Sequence, residues 1–174
     1  MAGLASLQSL DLSQCDQLQD LKPLAGLATL QSLRLSGCRQ IQDLEPLAGL
    51  ASLQSLDLSG CNQIQNLKPL VGLASLQSID LAGCNQIQDL RPLLELVFLR
   101  RLNLSNCQFG IALGLLRPLL PNLQVLILCE SHWSDFDDSL CGVDRENVIE
   151  AVRAHFQDLD QGEEEETEVR MLIL

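Results

Sequence analysis

LKPLAGLATLQSLRLSGCRQIQD runs from Leu21 to Asp43, and LEPLAGLASLQSLDLSGCNQIQN follows at once from Leu44 to Asn66. LKPLVGLASLQSIDLAGCNQIQD continues from Leu67 to Asp89, and a drifted fourth copy, LRPLLELVFLRRLNLSNCQF, begins at Leu90. A 23-residue period of this fidelity marks a stack of copies of one supersecondary unit. Leu30, Leu33 and Leu35 recur as Leu53, Leu56 and Leu58, then as Leu76, Ile79 and Leu81, then as Leu99, Leu102 and Leu104. The L-x-x-L-x-L spacing ends in alternation, as a short strand with one buried face requires. Between strands, the stretch from Leu44 to Leu50 carries Pro46 where a short helix or 3₁₀ turn would start. One strand per coil predicts a parallel sheet in which each leucine packs on its copy in the next coil. No coil can bury its leucines alone, so the array is expected to form one continuous core.

Composition agrees with that architecture and narrows the function. The chain is 47% hydrophobic but only 3% aromatic, with no tyrosine, so its core is built from one residue type copied many times. A net charge of −12 over 174 residues repels phosphate backbones and argues against nucleic-acid binding. No apolar run reaches the ~18 residues that a membrane-spanning helix needs. The opening MAGLASLQSLDLSQC lacks the basic flank and continuous apolar stretch of a signal peptide. A cytoplasmic location is therefore expected.

These residues resemble the leucine-rich-repeat family. Its signature L-x-x-L-x-L-x-x-N/C matches five times, with Cys15, Cys38, Cys61, Cys84 and Cys107 in the last position. A sixth, imperfect match spans Leu123 to Leu128, with Ser131 in place of the cysteine. The resemblance covers residues 1–131. It implies an α/β solenoid, a right-handed superhelix with parallel strands on its concave face and short helical or 3₁₀ segments outside.

Aligned by the repeat, Met1-Ala2-Gly3-Leu4 falls on Leu47-Ala48-Gly49-Leu50, so the chain is expected to start in mid-coil as a piece of a longer array. After the repeats the composition changes. Residues 132–162 read as a closing loop with Trp133 and Phe136, then an amphipathic helix. Asp144 is the expected helix cap, Glu146 lies in the first turn, and the apolar stripe is Val148, Ile149, Val152, Phe156 and Leu159. Residues 163–174 read as an acidic linker, Glu163 to Glu166, and a buried strand over Val169 to Leu174. The helix VIEAVRAHFQDL, the acidic linker and EVRMLIL together resemble the junction in bacterial Roco proteins. There, leucine-rich repeats run into a Ras-like Roc GTPase domain followed by a COR dimerisation domain. The resemblance implies that Val169–Leu174 matches the first strand of the GTPase sheet. The chain has no G-x-x-x-x-G-K-[ST], so no phosphate site is carried over to any residue.

Each candidate site has a plainer competitor. Cysteines 23 residues apart fall on adjacent coils, about 5 Å apart by strand spacing. A linear ladder does not converge on one point as zinc ligands must, and pairing two rungs would break the repeating geometry. The five ladder cysteines are expected to be reduced, metal-free, buried thiols that bond weakly to turn backbone; Cys129 and Cys141 lie off the ladder. Ser131, His132 and Asp135 carry the residue types of a nucleophilic triad, but neighbours in one short loop do not supply its converging geometry. His155 is read as a surface residue of the helix, and Glu163 to Glu166 as a solvated spacer rather than a calcium site. No catalytic residue, metal or cofactor is expected.

The strand-lined face is left to decide function. Its first four coils show Gln8, Ser9, Asp11; Gln31, Ser32, Arg34; Gln54, Ser55, Asp57; and Gln77, Ser78, Asp80. That surface is small, polar and without aromatic anchors. The later coils depart from it with Arg100, Arg101 and Asn103, then Gln124, Val125 and Ile127, and these six are the candidate partner-binding residues. The leading expectation is a non-catalytic protein-interaction module, the recognition and regulatory repeats of a Roco-like GTPase. Its expected partners are that protein's own GTPase and dimerisation domains or another protein ligand. The alternatives are internalin-like extracellular adhesion repeats, disfavoured by an unpaired cysteine in every coil, and the sensor repeats of an immune-type receptor.

Overall fold

The structure is a computed structural model and describes residues 6–108, 113–128 and 148–160. Six three-residue strands form one parallel sheet in chain order. They are β1 (Ser9–Asp11), β2 (Ser32–Arg34), β3 (Ser55–Asp57), β4 (Ser78–Asp80), β5 (Arg101–Asn103) and β6 (Val125–Ile127). The register is the sequence period itself: Leu10 lies beside Leu33, Leu33 beside Leu56, and Leu56 beside Ile79. The last step is one residue longer and still brings Leu102 beside Leu126.

Between strands, the outer segments are 3₁₀ turns, at Lys22–Leu24, Glu45–Leu47, Lys68–Gly72, Arg91–Glu95 and Leu113–Leu119. The sequence explains why. Leu44, Leu47, Leu50 and Leu53 recur every third residue, which puts them on one face of a helix with three residues per turn. The backbone follows that period, with the N–H of Leu47, Leu50 and Leu53 each donating to the carbonyl three residues earlier. Proline near the start of the first four turns gives up an N–H that has no partner there anyway. Just before each, the side chain of Asp20, Asp43, Asn66 or Asp89 accepts the N–H two residues on, closing the entry to the turn.

Another constraint lies just after each strand. Gln14, Gly37, Gly60, Gly83 and Asn106 occupy one column, and all five have positive φ. Glycine fills it in the interior coils, where a left-handed residue without a Cβ is least strained. From Leu30 to Leu104 the leucine columns are almost wholly inaccessible to solvent and form one continuous core. Packing at this density is what makes the coils a single cooperative body.

A helix, α1 (Ile149–Asp160), follows the last described coil. Its Val148 flank and residues Ile149, Val152 and Phe156 are buried in the common core. The Val148 N–H donates to the Leu126 carbonyl of β6 at 2.8 Å, taking up an acceptor on the edge strand. Arg153 donates from Nη2 to the carbonyls of Leu120 and Leu123, both at 2.7 Å, and its Nη1 pairs with Glu150. The guanidinium of Arg117 stands 5.4 Å over the Phe156 ring. So the helix is tied to the last coil by apolar packing and by charged donors to backbone groups. The expected closing loop with Trp133 and Phe136, the cap at Asp144, Glu146, the side chain of Leu159 and the linker and strand over 163–174 lie outside the described residues.

Candidate protein-binding surface

The open face of the sheet is a grid. Along each strand the first and third residues face out, and the central leucine or isoleucine faces in. The third column does local work. Asp11, Asp57, Asp80 and Asn103 each accept the backbone N–H two residues on, which locks the turn out of the strand. Ser13 holds the Asp11 carboxyl below its ordinary range through those hydrogen bonds, with the Arg34 guanidinium adding to the effect. Arg34 breaks the column and stands 3.8 Å from Asp11, both largely exposed. Asn103 is half-buried and donates to Asp80 Oδ2 at 2.9 Å while accepting from the backbone and hydroxyl of Ser105. Its amide is therefore occupied in joining the fourth and fifth coils.

The cysteine ladder is a second internal device. The thiols of Cys38, Cys61, Cys84 and Cys107 donate to the carbonyls of Leu12, Leu35, Leu58 and Leu81, at 3.1–3.2 Å, each in the preceding coil. Burial pushes the Cys61 thiol up to about 12 and Cys107 to about 11, and raises Cys84 and Cys38 as well. Thiols in such surroundings stay protonated, and it is the thiolate that attacks electrophiles or binds metal. Cys15 corrects the expectation of five buried rungs: it is exposed. It lies in the first described coil, where no described earlier coil supplies walls or an acceptor. Among the described residues, no three His, Cys, Asp or Glu side chains gather as a metal-binding group. Ser131, His132, Asp135, Cys129, Cys141, the His155 side chain and Glu163 to Glu166 lie outside the described residues.

The fifth and sixth coils differ in what they present. Arg101 sits in register between Ser78 and Val125, and Asn103 between Asp80 and Ile127. Arg100 and Arg101 are exposed, and among the described residues neither makes an ion pair or a side-chain hydrogen bond. Gln124 is exposed, while Val125 and Ile127 are half-buried apolar side chains on a face that is otherwise polar. The six candidates thus lie together on two neighbouring strands and their approach. Reasoning from sequence missed the residues just before them. Val97 and Phe98 are 58% and 60% exposed, on the turn leading into β5. A signal was present: Phe98 stands where earlier coils carry Thr29, Ser52 and Ser75.

Comparison with known proteins agrees with this geometry. The family described as Leucine Rich repeats (2 copies) matches residues 5–49 and 51–95, and that described as Leucine Rich Repeat matches 98–123. No curated protein matches the chain. Among solved structures, internalin C2 of Listeria monocytogenes is 29% identical with a TM-score of 0.59, over 80% of this chain and 68% of that one. The Leptospira interrogans leucine-rich-repeat protein LIC12759 is 28% identical with a TM-score of 0.59, over 74% of this chain and 32% of that one. An internalin F structure from Listeria monocytogenes is 25% identical with a TM-score of 0.50, and the match spans 76% of this chain and half of that one. Repeat period, sheet register and family matches agree: the chain belongs to the leucine-rich-repeat family.

Proposed function

We propose that this chain is a non-catalytic recognition module that receives a protein partner on the open sheet face of its last coils. Arg100, Arg101, Asn103, Gln124, Val125 and Ile127 supply the contact surface, with Asn103 acting mainly by fixing the strand exits. One observation carries the reading. In a chain of net charge −12, two adjacent arginines stand exposed and unpaired among the described residues, in two columns that the earlier coils fill with Gln and Ser. Unpaired guanidinium groups beside apolar side chains are the composition of a protein contact, not of a solvated face.

The finer part of the proposal is that these are the regulatory repeats of a cytoplasmic Roco-like GTPase. Its Roc and dimerisation domains would be the partners, and nucleotide hydrolysis would reside there. The resemblance of the tail, VIEAVRAHFQDL followed by EVRMLIL, supports this. A second reading, an extracellular internalin-like adhesion module, is favoured by the likeness to internalin C2. Buried, unpaired thiols in successive coils support the reducing compartment that the first reading requires.

The coding sequence beyond Leu174 tests the finer proposal: a phosphate loop should follow almost at once, and its absence would remove the Roco assignment. With those domains in hand, Arg100→Glu with Arg101→Glu should weaken their binding to the repeats by about tenfold or more, and Arg34→Glu by far less. Equal effects at the two places would reduce the contact to general electrostatics and reject the proposed surface.

A further inference from the structure

Between residues 95 and 101 five exposed positions depart from the earlier coils while the core beneath them does not; Glu95 stands where they carry Gly26, Gly49 and Gly72, and the other four follow it. Val97 stands where the earlier coils carry Ala28, Ala51 and Ala74, and Phe98 where they carry Thr29, Ser52 and Ser75. Arg100 replaces Gln31, Gln54 and Gln77, and Arg101 replaces Ser32, Ser55 and Ser78. In the same stretch Leu96, Leu99, Leu102 and Leu104 keep the core columns and remain buried. The backbone is unchanged as well. Leu99 donates to Leu96, and Arg100 and Arg101 both donate to the Gln77 carbonyl, as the matching residues do one coil earlier. The fold is thus satisfied by Ala, Ser, Gln and Ser at these positions, and gains nothing visible from Val, Phe, Arg and Arg.

What the four substitutions create is an apolar step beside two cations. Val97 and Phe98 are two of the three large hydrophobic residues exposed among those described, the other being Val71. Phe98 precedes Arg101 by three residues, so chain geometry keeps their Cα atoms within about 11 Å. Exposed aromatic surface loses free energy to water and gains it in contact, and rigid aromatics with arginine dominate the energy of protein contacts. Guanidinium groups select carboxylates through paired, charge-assisted hydrogen bonds. In a chain of net charge −12, two adjacent exposed arginines give this place a local positive charge that attracts an acidic ligand.

Building on the protein-binding reading above, we infer that the turn into β5 and the start of that strand form a two-part peptide site. Its ligand is an acidic protein segment carrying a bulky apolar side chain. The apolar side chain packs on Phe98 and Val97, and neighbouring Asp or Glu carboxylates pair with Arg100 and Arg101.

A random peptide library displayed on phage, selected on the immobilised chain, tests this, with enriched peptides resynthesised and titrated by fluorescence anisotropy. Two double variants restore the repeat's own residues, so the fold is kept: Val97→Ala with Phe98→Ser, and Arg100→Gln with Arg101→Ser. Enriched peptides should place Asp or Glu beside a bulky apolar residue, and each double variant should weaken binding roughly tenfold or more. Raising the salt concentration should weaken binding to the wild type and to the Val97→Ala, Phe98→Ser variant, but barely to the arginine variant. Absence of enriched peptides, or enrichment without acidic residues, overturns the inference. If only the arginine variant loses binding, the strand-face reading survives and the two-part site does not; if neither variant matters, both are rejected.

Discussion

The first and last described coils carry the same leucine columns in different surroundings. In the coil of β1, Leu7, Leu10, Leu12 and Leu18 are only partly buried, and Cys15 is exposed. In the coil of β6, Leu123, Leu126 and Leu128 are at most 1% exposed. The difference is α1, which covers the last coil, while among the described residues nothing lies on the outer side of β1. A leucine in a repeat is therefore not stabilising by itself; its worth depends on what stacks against it. The same holds for polar groups. Leu126 at the β6 edge has its carbonyl taken by Val148, and among the described residues the thiol ladder begins at Cys38, the first rung with a described coil before it.

That contrast is broken most severely by removing the helix. Deleting residues 144–174 strips Val148, Ile149, Val152 and Phe156 from the core and withdraws the Arg153 donors from Leu120 and Leu123. At about 1.5–3 kcal/mol per fully buried large apolar side chain, as an upper estimate, the loss should be several kcal/mol. A urea denaturation curve checks it; an unmoved midpoint would show that the last coil needs no cover. Next in size is a paired truncation inside the array. Leu56→Ala, in the middle of the stack, should cost about 2–5 kcal/mol, and Leu10→Ala, at the partly open coil, only a fraction of that. Similar costs would mean that the first coil is packed as tightly as the third.

Much of this was legible before the structure. The period fixes which residues stack, so the strands, their parallel order and their register follow from the spacing of Leu30, Leu33, Leu35 and their copies. The stripe of Val148, Ile149, Val152 and Phe156 likewise marked one covered helix face. Other features were hidden because they depend on contacts across coils. Nothing in the spacing of the cysteines says that each thiol bonds a carbonyl 26 residues earlier. Arg153 reads as a surface residue of an amphipathic helix, yet it satisfies two carbonyls of the last coil. Asn103 looks like a free surface amide until its bonds to Asp80 and Ser105 are seen. Phe98 was visible as a departure from its column, but its exposure depends on how the turn into β5 is placed.

A smaller effect belongs to the buried rungs that β1 lacks. Burial raises the folded pKa values of Cys61 and Cys107 to about 12 and 11 from an ordinary 9.0, and raises that of Cys84 too. Above pH 9.0 the unfolded chain loses those protons while the native state keeps them, so the native state binds more protons and stability falls as pH rises. The contribution is whole below pH 9.0 and is lost progressively as pH climbs toward the folded values of about 11 to 12. Denaturation midpoints taken on either side of pH 9.0 should show this decline. Cys61→Ser with Cys84→Ser, which keeps a donor and removes the titration, should show a shallower one. An equally steep decline in that variant would place the alkaline sensitivity elsewhere.

The smallest expected effect tests the central claim, that the fifth coil departs from the repeat for recognition and not for folding. The measurement is the urea denaturation midpoint of a variant carrying Val97→Ala, Phe98→Ser, Arg100→Gln and Arg101→Ser together. Exposed substitutions that leave the core columns and backbone bonds intact should change stability by no more than about 0.5 kcal/mol. An unchanged midpoint and slope is the result expected here. A loss of about 2 kcal/mol or more would show that these four residues hold the solenoid together, and the recognition surface would have no basis.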